Sequence, residues 1–219
     1  MSISNSMSRD PSLEYSQMKQ KYEFRDPRAT CIKCVLVGDS GVGKSSLAAR
    51  IASRKFKEEY VPTVFDNYAA TVTLDEKSFH FSLFDTAGKE DYDRLRVISY
   101  MNCDVFLVCY SVHERDSLAD IEAHWVPEIK QYLPKTPYIL VATQTDRRTP
   151  KSDGVDVQPY VSFKEASEVA NRCGASSYVE CSAMTSEGVS DVIREIIETV
   201  QKSVTCRSKE ATCCGCIIM

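Results

Sequence analysis

The sequence predicts a doubly wound α/β domain, with a mostly parallel six-stranded sheet and helices on both faces. Short apolar runs alternate with longer amphipathic segments between residues 31 and 201, which is the pattern of strands joined by crossover helices. A glycine-rich loop follows the first run, at the strand end where such folds bind ligands. The predicted strands span residues 33–37, 69–74, 79–85, 105–111, 138–143 and 178–181, and the predicted helices span 44–53, 117–131, 162–173 and 189–201.

The composition is typical of one soluble domain. A chain of 219 residues is long enough to bury a core, and its net charge of −4 argues against a general binder of nucleic acid. Several cysteines lie in or beside apolar runs, so we interpret them as small buried hydrophobic residues and not as disulfide or zinc ligands. These are Cys31, Cys34, Cys103, Cys109 and Cys181.

Three parts follow one another along the chain. Residues 1–30 are polar and carry no apolar stretch typical of a secretory signal, so we expect a disordered extension of an intracellular protein. Residues 31–201 form the predicted domain, which contains an inserted segment at 147–160. Residues 202–219 form a predicted flexible tail, and no apolar run approaches the ~20 residues that span a bilayer.

Residues 38–45, with the sequence GDSGVGKS, form a complete G-x-x-x-x-G-K-S/T phosphate loop between the first strand and the first helix. Glycines allow successive backbone N–H groups to point at a phosphate near the helix N-terminus. Lys44 would reach the β- and γ-phosphate oxygens, and the Ser45 hydroxyl would bind Mg²⁺. The predicted phosphate contacts come from Ser40, Gly41, Val42, Gly43, Lys44, Ser45 and Ser46.

Three further motifs end predicted strands at the same edge of the sheet. The carboxylate of Asp85 can hold Mg²⁺ through water, and Gly88 can bring a backbone N–H to the γ-phosphate. Asp146 can accept two hydrogen bonds from guanine. An Asp after a strand is usually a cap or turn residue, but the four motifs in this order indicate a guanine-nucleotide site. A backbone N–H for the guanine oxygen is expected from Ser182, Ala183 and Met184.

With these motifs the chain resembles the small GTPases of the Ras superfamily, and specifically the Rho family, over about residues 31–200. The similarity rests on YVPTVFDNY at 60–68, EDYDRLR at 90–96, residues 104–110 and WVPE at 125–128. Asp66 resembles the Rac and cell-division-control branch, since other Rho proteins carry Glu there. Phe84 and Gln144 favour the cell-division-control subgroup.

The segment at 147–160 is similar to the insertion that marks Rho proteins, although it is somewhat short. It contains Pro150, Gly154 and Pro159. Because proline and glycine disfavour helix interiors, we do not expect the usual insert helix.

The resemblance implies a P-loop G domain that binds GTP and GDP with Mg²⁺ and acts as a monomeric switch. Phe56 would pack over guanine, Tyr60 would close over the phosphates, and Thr63 would complete the Mg²⁺ shell only with γ-phosphate present. The implied partners are exchange factors, a GDP-dissociation inhibitor and GTP-dependent effectors with the short Cdc/Rac-binding motif, which serve the cytoskeleton and membrane traffic. The implied effector residues are Val64, Phe65, Asp66, Asn67 and Tyr68, and Gln144 joins the nucleotide-binding set.

Lys89 departs from the family, which has at this position a glutamine that orients the attacking water. A glutamine accepts and donates hydrogen bonds, whereas an ammonium only donates. We therefore expect slow hydrolysis and a poor response to an activating protein's arginine. Ser40 replaces a family glycine and adds weakly to this expectation, since Rab proteins with the same loop hydrolyse GTP. If Lys89 faces solvent, hydrolysis would persist at a low intrinsic rate.

The chain ends with a predicted lipid-modification site. Cys216 is followed by two aliphatic residues and a terminal Met219, which is a prenylation box that favours farnesyl. One prenyl chain gives only marginal membrane residence, and Cys213 and Cys214 could supply a second signal by palmitoylation. We expect a lipid-anchored protein at the cytoplasmic face of the plasma membrane or of endomembranes.

Three alternatives to a hydrolysis-impaired switch stay open. The chain could be a normally cycling GTPase, or a scaffold with permanently bound GTP that acts through partner binding alone. A P-loop kinase that phosphorylates a small acceptor is a third alternative. Asp146 and the prenylation box count against the kinase.

Overall fold

A computed structural model describes residues 30–53, 63, 65–148 and 160–213, without the side chains of residue 90 and residues 206–213. It confirms the predicted α/β fold. One six-stranded sheet has the order β2-β3-β1-β4-β5-β6. Only β2 runs antiparallel to its neighbour β3, and the other pairs are parallel. The strands are β1 (Thr30–Val37), β2 (Phe65–Leu74), β3 (Lys77–Thr86), β4 (Val105–Ser111), β5 (Tyr138–Thr143) and β6 (Ser177–Glu180).

The helices agree with the prediction except at three places: the helix predicted at 117–131, an additional helix at 93–99 and the end of the last helix. Two short 3₁₀ turns, at Glu90–Tyr92 and Thr145–Arg147, and a π-helical turn at Ile121–Trp125 lie between them. The α-helices are α1 (Lys44–Ser53), α2 (Asp93–Ser99), α3 (Arg115–Asp120), α4 (Val126–Tyr132), α5 (Phe163–Cys173) and α6 (Val189–Cys213).

The single helix predicted at residues 117–131 is wrong, because a π-helical turn divides it into α3 and α4. Pro127 lies just after this turn and has no N–H to donate to the carbonyl of Ala123. A regular α-helical ladder therefore cannot continue through this point, and a wider turn accommodates the missing bond.

The other two differences concern α2 and α6. The sequence did not predict α2. Its apolar residues Leu95 and Ile98 are 51% and 45% exposed, so they form no buried apolar face from which a helix could be recognised. Helix α6 runs to Cys213, well beyond its predicted end at residue 201. No glycine or proline interrupts residues 189–213, and these are the residues that most often end a helix.

Two apolar cores flank the sheet, and successive residues of β1 belong to opposite cores. Cys34 and Leu36 pack with α1 and α6, whereas Val35 and Val37 pack with α3, α4 and α5. Strands β4 and β5 are buried along their whole length, as expected for parallel strands covered on both faces. The doubly wound arrangement places the loops after β1, β3, β5 and β6 at one edge of the sheet.

The cysteines behave largely as predicted. Cys34, Cys103, Cys109 and Cys181 are buried thiols, and Cys31 is a half-buried thiol. Among the residues that the structure describes, no helix combines the length and apolar character needed to cross a membrane.

Candidate nucleotide-binding site

The phosphate loop joins β1 to α1, and glycine geometry holds it against β4. Gly38 has φ of +138°, and a Cβ atom on it would lie 2.1 Å from the carbonyl oxygen of Cys109. No other residue fits this approach without moving the β4 backbone. The loop is therefore fixed at its entry by a contact that the sequence motif requires.

The ammonium of Lys44 lies inside this loop. Its Nζ donates hydrogen bonds to the carbonyl oxygens of Gly38 at 2.7 Å and Asp39 at 2.6 Å. Burial lowers the pKa of Lys44, and the nearby carboxylate of Asp85 partly opposes that effect. A buried cation encircled by backbone is well placed to attract phosphate oxygens.

The three predicted Mg²⁺ ligands lie together. The hydroxyl oxygens of Ser45 and Thr63 are 2.8 Å apart, and Asp85 is fully buried beside them. Burial raises the pKa of Asp85; the hydroxyl of Ser45, then the ammonium of Lys44, act in the opposite direction. Neither oxygen of the carboxylate has a hydrogen-bond partner among the described residues.

An orphaned buried carboxylate that faces two hydroxyl groups is a set of hard oxygen ligands, which is what Mg²⁺ prefers. These residues fit the ion that the sequence predicts. Ser45 and Thr63 would bind it directly, and Asp85 would hold it through water, as predicted.

Gly88 lies directly against the phosphate loop. A Cβ atom on Gly88 would be 2.4 Å from both the Asp39 carbonyl carbon and the Ser40 nitrogen. Glycine is therefore needed for the two backbones to approach. The next residue, Lys89, is exposed, and within the described part of the chain its ammonium makes no hydrogen bond or ion pair.

The residues that the sequence predicts to recognise guanine lie in two adjoining loops. The Ser182 hydroxyl donates to the Asp146 carboxylate and accepts the Thr185 N–H at 3.1 Å. Thr145 N–H donates to the carbonyl of Cys181 at 3.3 Å. The two loops thus form one hydrogen-bonded unit around Asp146.

Gln144 connects this unit to the phosphate loop. It adopts a left-handed backbone conformation with φ of +60°. Its Nε2 donates to the carbonyl of Gly41 at 2.9 Å, and its Oε1 accepts from the Ser111 hydroxyl at 3.1 Å. Gln144 therefore lies between the base and phosphate subsites, where the sequence predicted a nucleotide contact.

Sequence reasoning missed a buried network that begins at Arg96. Its guanidinium donates to the Ala87 carbonyl at 2.9 Å and to both carboxylate oxygens of Glu128 at 3.0 and 2.8 Å. Burial acts to raise the pKa of Glu128, but hydrogen bonds from Arg96 and Tyr100 outweigh it and lower the pKa. The network fixes Ala87, which immediately precedes Gly88, to helix α4.

The same network reaches the phosphate loop through Trp125. The guanidinium of Arg96 stacks 4.7 Å from the Trp125 ring centroid. The Trp125 indole Nε1 donates to the Asp39 carboxylate at 2.7 Å. The segment WVPE at 125–128 marked a family resemblance in the sequence, but nothing local indicated these distant partners.

Arginines also brace the guanine loops. Arg50 on α1 donates to the carbonyl oxygens of Ala183 at 2.6 Å and Met184 at 2.9 Å. Arg148 forms an ion pair with Glu180, the last residue of β6, and donates to the Val161 carbonyl at 3.0 Å. No sequence signal identified either arginine.

The described effector residues lie on β2, which pairs only with β3 and forms an edge of the sheet. Asp66 is exposed, and its carboxylate accepts a hydrogen bond from the Tyr68 hydroxyl at 3.2 Å. Phe65 packs against Phe84. Several predicted site residues lie outside the described residues: Phe56, Tyr60, Val64, Cys214, Cys216 and most of the insertion at 147–160, together with nearly all of the N-terminal extension.

A phosphate loop, a convergent oxygen-ligand set and two base-recognition loops at the carboxyl edge of a doubly wound sheet define a P-loop nucleotide-binding domain of the G-domain class. The family model described as the Ras family matches residues 33–202. The chain belongs to the Ras family. It is a small GTP-binding switch protein of a family that binds GTP and GDP, generally with Mg²⁺, and that binds effectors and exchange factors.

Proposed function

We propose that this protein is a membrane-anchored switch of the Rho type whose GTP hydrolysis is impaired. The observation that carries the proposal is the position of Lys89. It directly follows Gly88, whose backbone lies against the Asp39–Ser40 peptide of the phosphate loop. The Lys89 side chain therefore begins at the place from which a residue would reach a water molecule next to the γ-phosphate.

Lysine at this place lacks the chemistry that hydrolysis needs. The attacking water must donate a hydrogen bond to an acceptor that orients it. An ammonium group only donates, so Lys89 would instead form an ion pair with the phosphate and stabilise the substrate. When bound at Ser45, Thr63 and Asp85, Mg²⁺ would neutralise phosphate charge, but it would not replace the missing acceptor.

One observation favours a normal cycle as the second candidate. The Lys89 side chain is exposed, and its ammonium forms no hydrogen bond or ion pair within the described residues, so it could remain in solvent while another group orients the water. The nucleotide carried by the protein purified from cells distinguishes the candidates, together with its single-turnover hydrolysis rate. Mostly GTP with slow turnover supports impairment, whereas mostly GDP with ordinary turnover supports a normal cycle.

The Rho assignment is supported by the segment at 60–68 and by the edge strand that carries its second half. An exposed edge can accept a strand from a partner through backbone hydrogen bonds. Effectors with the Cdc/Rac-binding motif would add next to β2 and contact Asp66. Binding of such a peptide to GTP-loaded but not GDP-loaded protein tests this assignment, and equal affinity for both forms would contradict it.

The membrane proposal rests on the end of the chain. Helix α6 ends at Cys213, and the box that begins at Cys216 follows after two residues, Cys214 and Gly215. Changing Cys216 to Ser should leave the protein cytosolic, while changing Cys213 and Cys214 together should preserve prenylation and lose stable residence. Membrane localisation of the Cys216 variant in cell fractionation would place the anchor elsewhere.

A further inference from the structure

We propose that Arg50 is a positioning residue for the guanine-binding loop at 182–184 and thereby sets how long bound nucleotide is retained. The proposal rests on the guanine recognition expected of Asp146 and of the backbone N–H groups at 182–184. Arg50 belongs to no nucleotide-binding motif of the sequence. Its role follows from contacts across 133 and 134 residues of chain.

The geometry of the contact is specific. One guanidinium donates through Nε to the Ala183 carbonyl at 2.6 Å and through Nη2 to the Met184 carbonyl at 2.9 Å. Since the guanidinium is planar and its donors are fixed relative to one another, two consecutive carbonyls are held at once. Each peptide is itself planar, so the orientations of the N–H groups of Met184 and Thr185 are held as well.

Ser182, the first residue of the loop, holds it through two further hydrogen bonds. The Ser182 side chain is fully buried, donates to the Asp146 carboxylate and accepts the N–H of Thr185. The hydrogen bonds of Arg50 and those of Ser182 therefore both hold the loop in place. A shift of the loop away from Arg50 would also disturb the Ser182 hydroxyl that orients Asp146.

Helix α1 gives Arg50 a second connection to the nucleotide. Lys44 and Ser45 form the first turn of α1, and Arg50 lies in its last turn. One short helix thus carries the phosphate ligands at its start and the anchor of the guanine loop near its end. Rigid support of both subsites by one element pre-organises the site and slows release.

Arg50 could instead act only through the helix dipole, because cations stabilise helix C-termini. Lysine would preserve that effect, but its single ammonium cannot reproduce the two fixed donors. Methionine would preserve the unbranched side chain as far as the position of Nε and remove all donors. The pair Arg50→Lys and Arg50→Met therefore separates the two roles.

The first experiment measures release of fluorescent GDP from the full-length chain in the presence of Mg²⁺ and excess unlabelled GDP. Arg50→Met should release GDP about tenfold faster than the wild type, and Arg50→Lys should lie between them. Arg172→Met is the matched control, since Arg172 pairs with Glu122 on the surface. An unchanged rate in Arg50→Met, or full rescue by lysine, would overturn the proposal.

A second experiment asks where the lost contact lies, using the affinities of GDP and 6-thio-GDP. The sulfur replaces the oxygen that the loop binds and accepts hydrogen bonds more weakly. If Arg50 positions the loop, Arg50→Met should lose more affinity for GDP than for 6-thio-GDP. Equal losses for both nucleotides would indicate general destabilisation and overturn the positioning role. Failure of the wild type to bind GDP would instead overturn the nucleotide function itself.

Discussion

The nucleotide site has a base side, formed by the loops around Asp146 and at 182–184, and a switch side, formed by Thr63 and Gly88 next to the phosphate loop. On the base side, side chains hold the loops in place, whereas on the switch side the contact with the phosphate loop is mainly between backbones. Arg50 holds the loop at 182–184 through its carbonyls, and Ser182 ties the same loop to Asp146. On the switch side, the backbone of Gly88 lies against the phosphate loop. Thr63 forms a hydrogen bond with Ser45 through their hydroxyl groups. The Arg96 network secures the chain only as far as Ala87.

This difference matches what each side does in a switch. The base is the same in GTP and GDP, so its loops gain from being rigid before nucleotide binds. The switch side must change when the γ-phosphate leaves, and a few weak contacts next to a fixed point allow such a change. Ala87, which the Arg96 network holds, and Gly88, which meets the phosphate loop through its backbone alone, are adjacent residues.

The largest expected effect concerns the base side and Asp146. Asp146→Asn replaces an acceptor with a donor, and it should reduce GTP affinity on the order of 100-fold or more because two charged hydrogen bonds are lost. Xanthosine triphosphate, which presents the complementary acceptor, should bind the variant better than GTP does. Competition binding measures both. Asp191→Asn, a surface change on α6, is the control, and tight ATP binding by the wild type would contradict guanine recognition.

The next effect concerns the switch side and is steric. Gly88→Ala would place a methyl group 2.4 Å from the phosphate-loop backbone, so the two segments must separate. The backbone N–H expected to bind the γ-phosphate would move away, and GTP affinity should decrease about tenfold while GDP affinity changes little. Gly174→Ala is the control for general destabilisation, because its φ of +79° strains any side chain while its nearest neighbour, at 4.0 Å, is the Tyr138 hydroxyl and not the phosphate loop; it should not separate GTP from GDP. Equal losses for GTP and GDP would show that Gly88 does not distinguish them.

A comparable effect on rate is expected at Lys89. Lys89→Gln restores an acceptor that can orient water, and single-turnover GTP hydrolysis should accelerate about tenfold or more. Ser40→Gly should raise the hydrolysis rate less, and the double variant should be fastest. Glutamine at position 89 orients the attacking water, whereas glycine at position 40 removes a side chain that crowds it. Lys202→Gln is the surface control. If the wild type already hydrolyses GTP as fast as Lys89→Gln, a normal cycle is the better account.

The sequence predicted the local features of the fold and of the site, but not the long-range contacts that support the site. The strands β4 and β5 and the helix α1 were predicted to the residue, because buried parallel strands and the phosphate loop have strong local patterns. Asp85 lies near the end of β3, Gly88 and Asp146 follow strand ends, and all three were identified by their motifs. The contacts Arg50–Ala183 and Trp125–Asp39 join residues 133 and 86 positions apart. No local pattern encodes them, since they exist only after the sheet has formed.

The smallest expected effect is on stability and comes from Asp85. Its carboxylate is fully buried without a hydrogen-bond partner among the described residues, and burial raises its pKa. A raised pKa means that folded, nucleotide-free protein holds the proton at pH values where the unfolded chain has lost it. Stability from this group is therefore greatest at low pH and decreases as pH rises from about 4 through the folded pKa.

Asp85→Asn removes that penalty and should make the nucleotide-free protein more stable near neutral pH by about 1 kcal/mol. The same change removes the charge that holds Mg²⁺, so Mg²⁺ should no longer slow GDP release. Urea unfolding of both proteins at about pH 5 and about pH 7 measures the first effect, and the difference should be larger at the higher pH. Asp191→Asn should show neither effect. A nucleotide-free Asp85→Asn variant that is less stable than the wild type would mean that Ser45 and Thr63 already satisfy the carboxylate, and the ligand set would then be pre-paired without the ion.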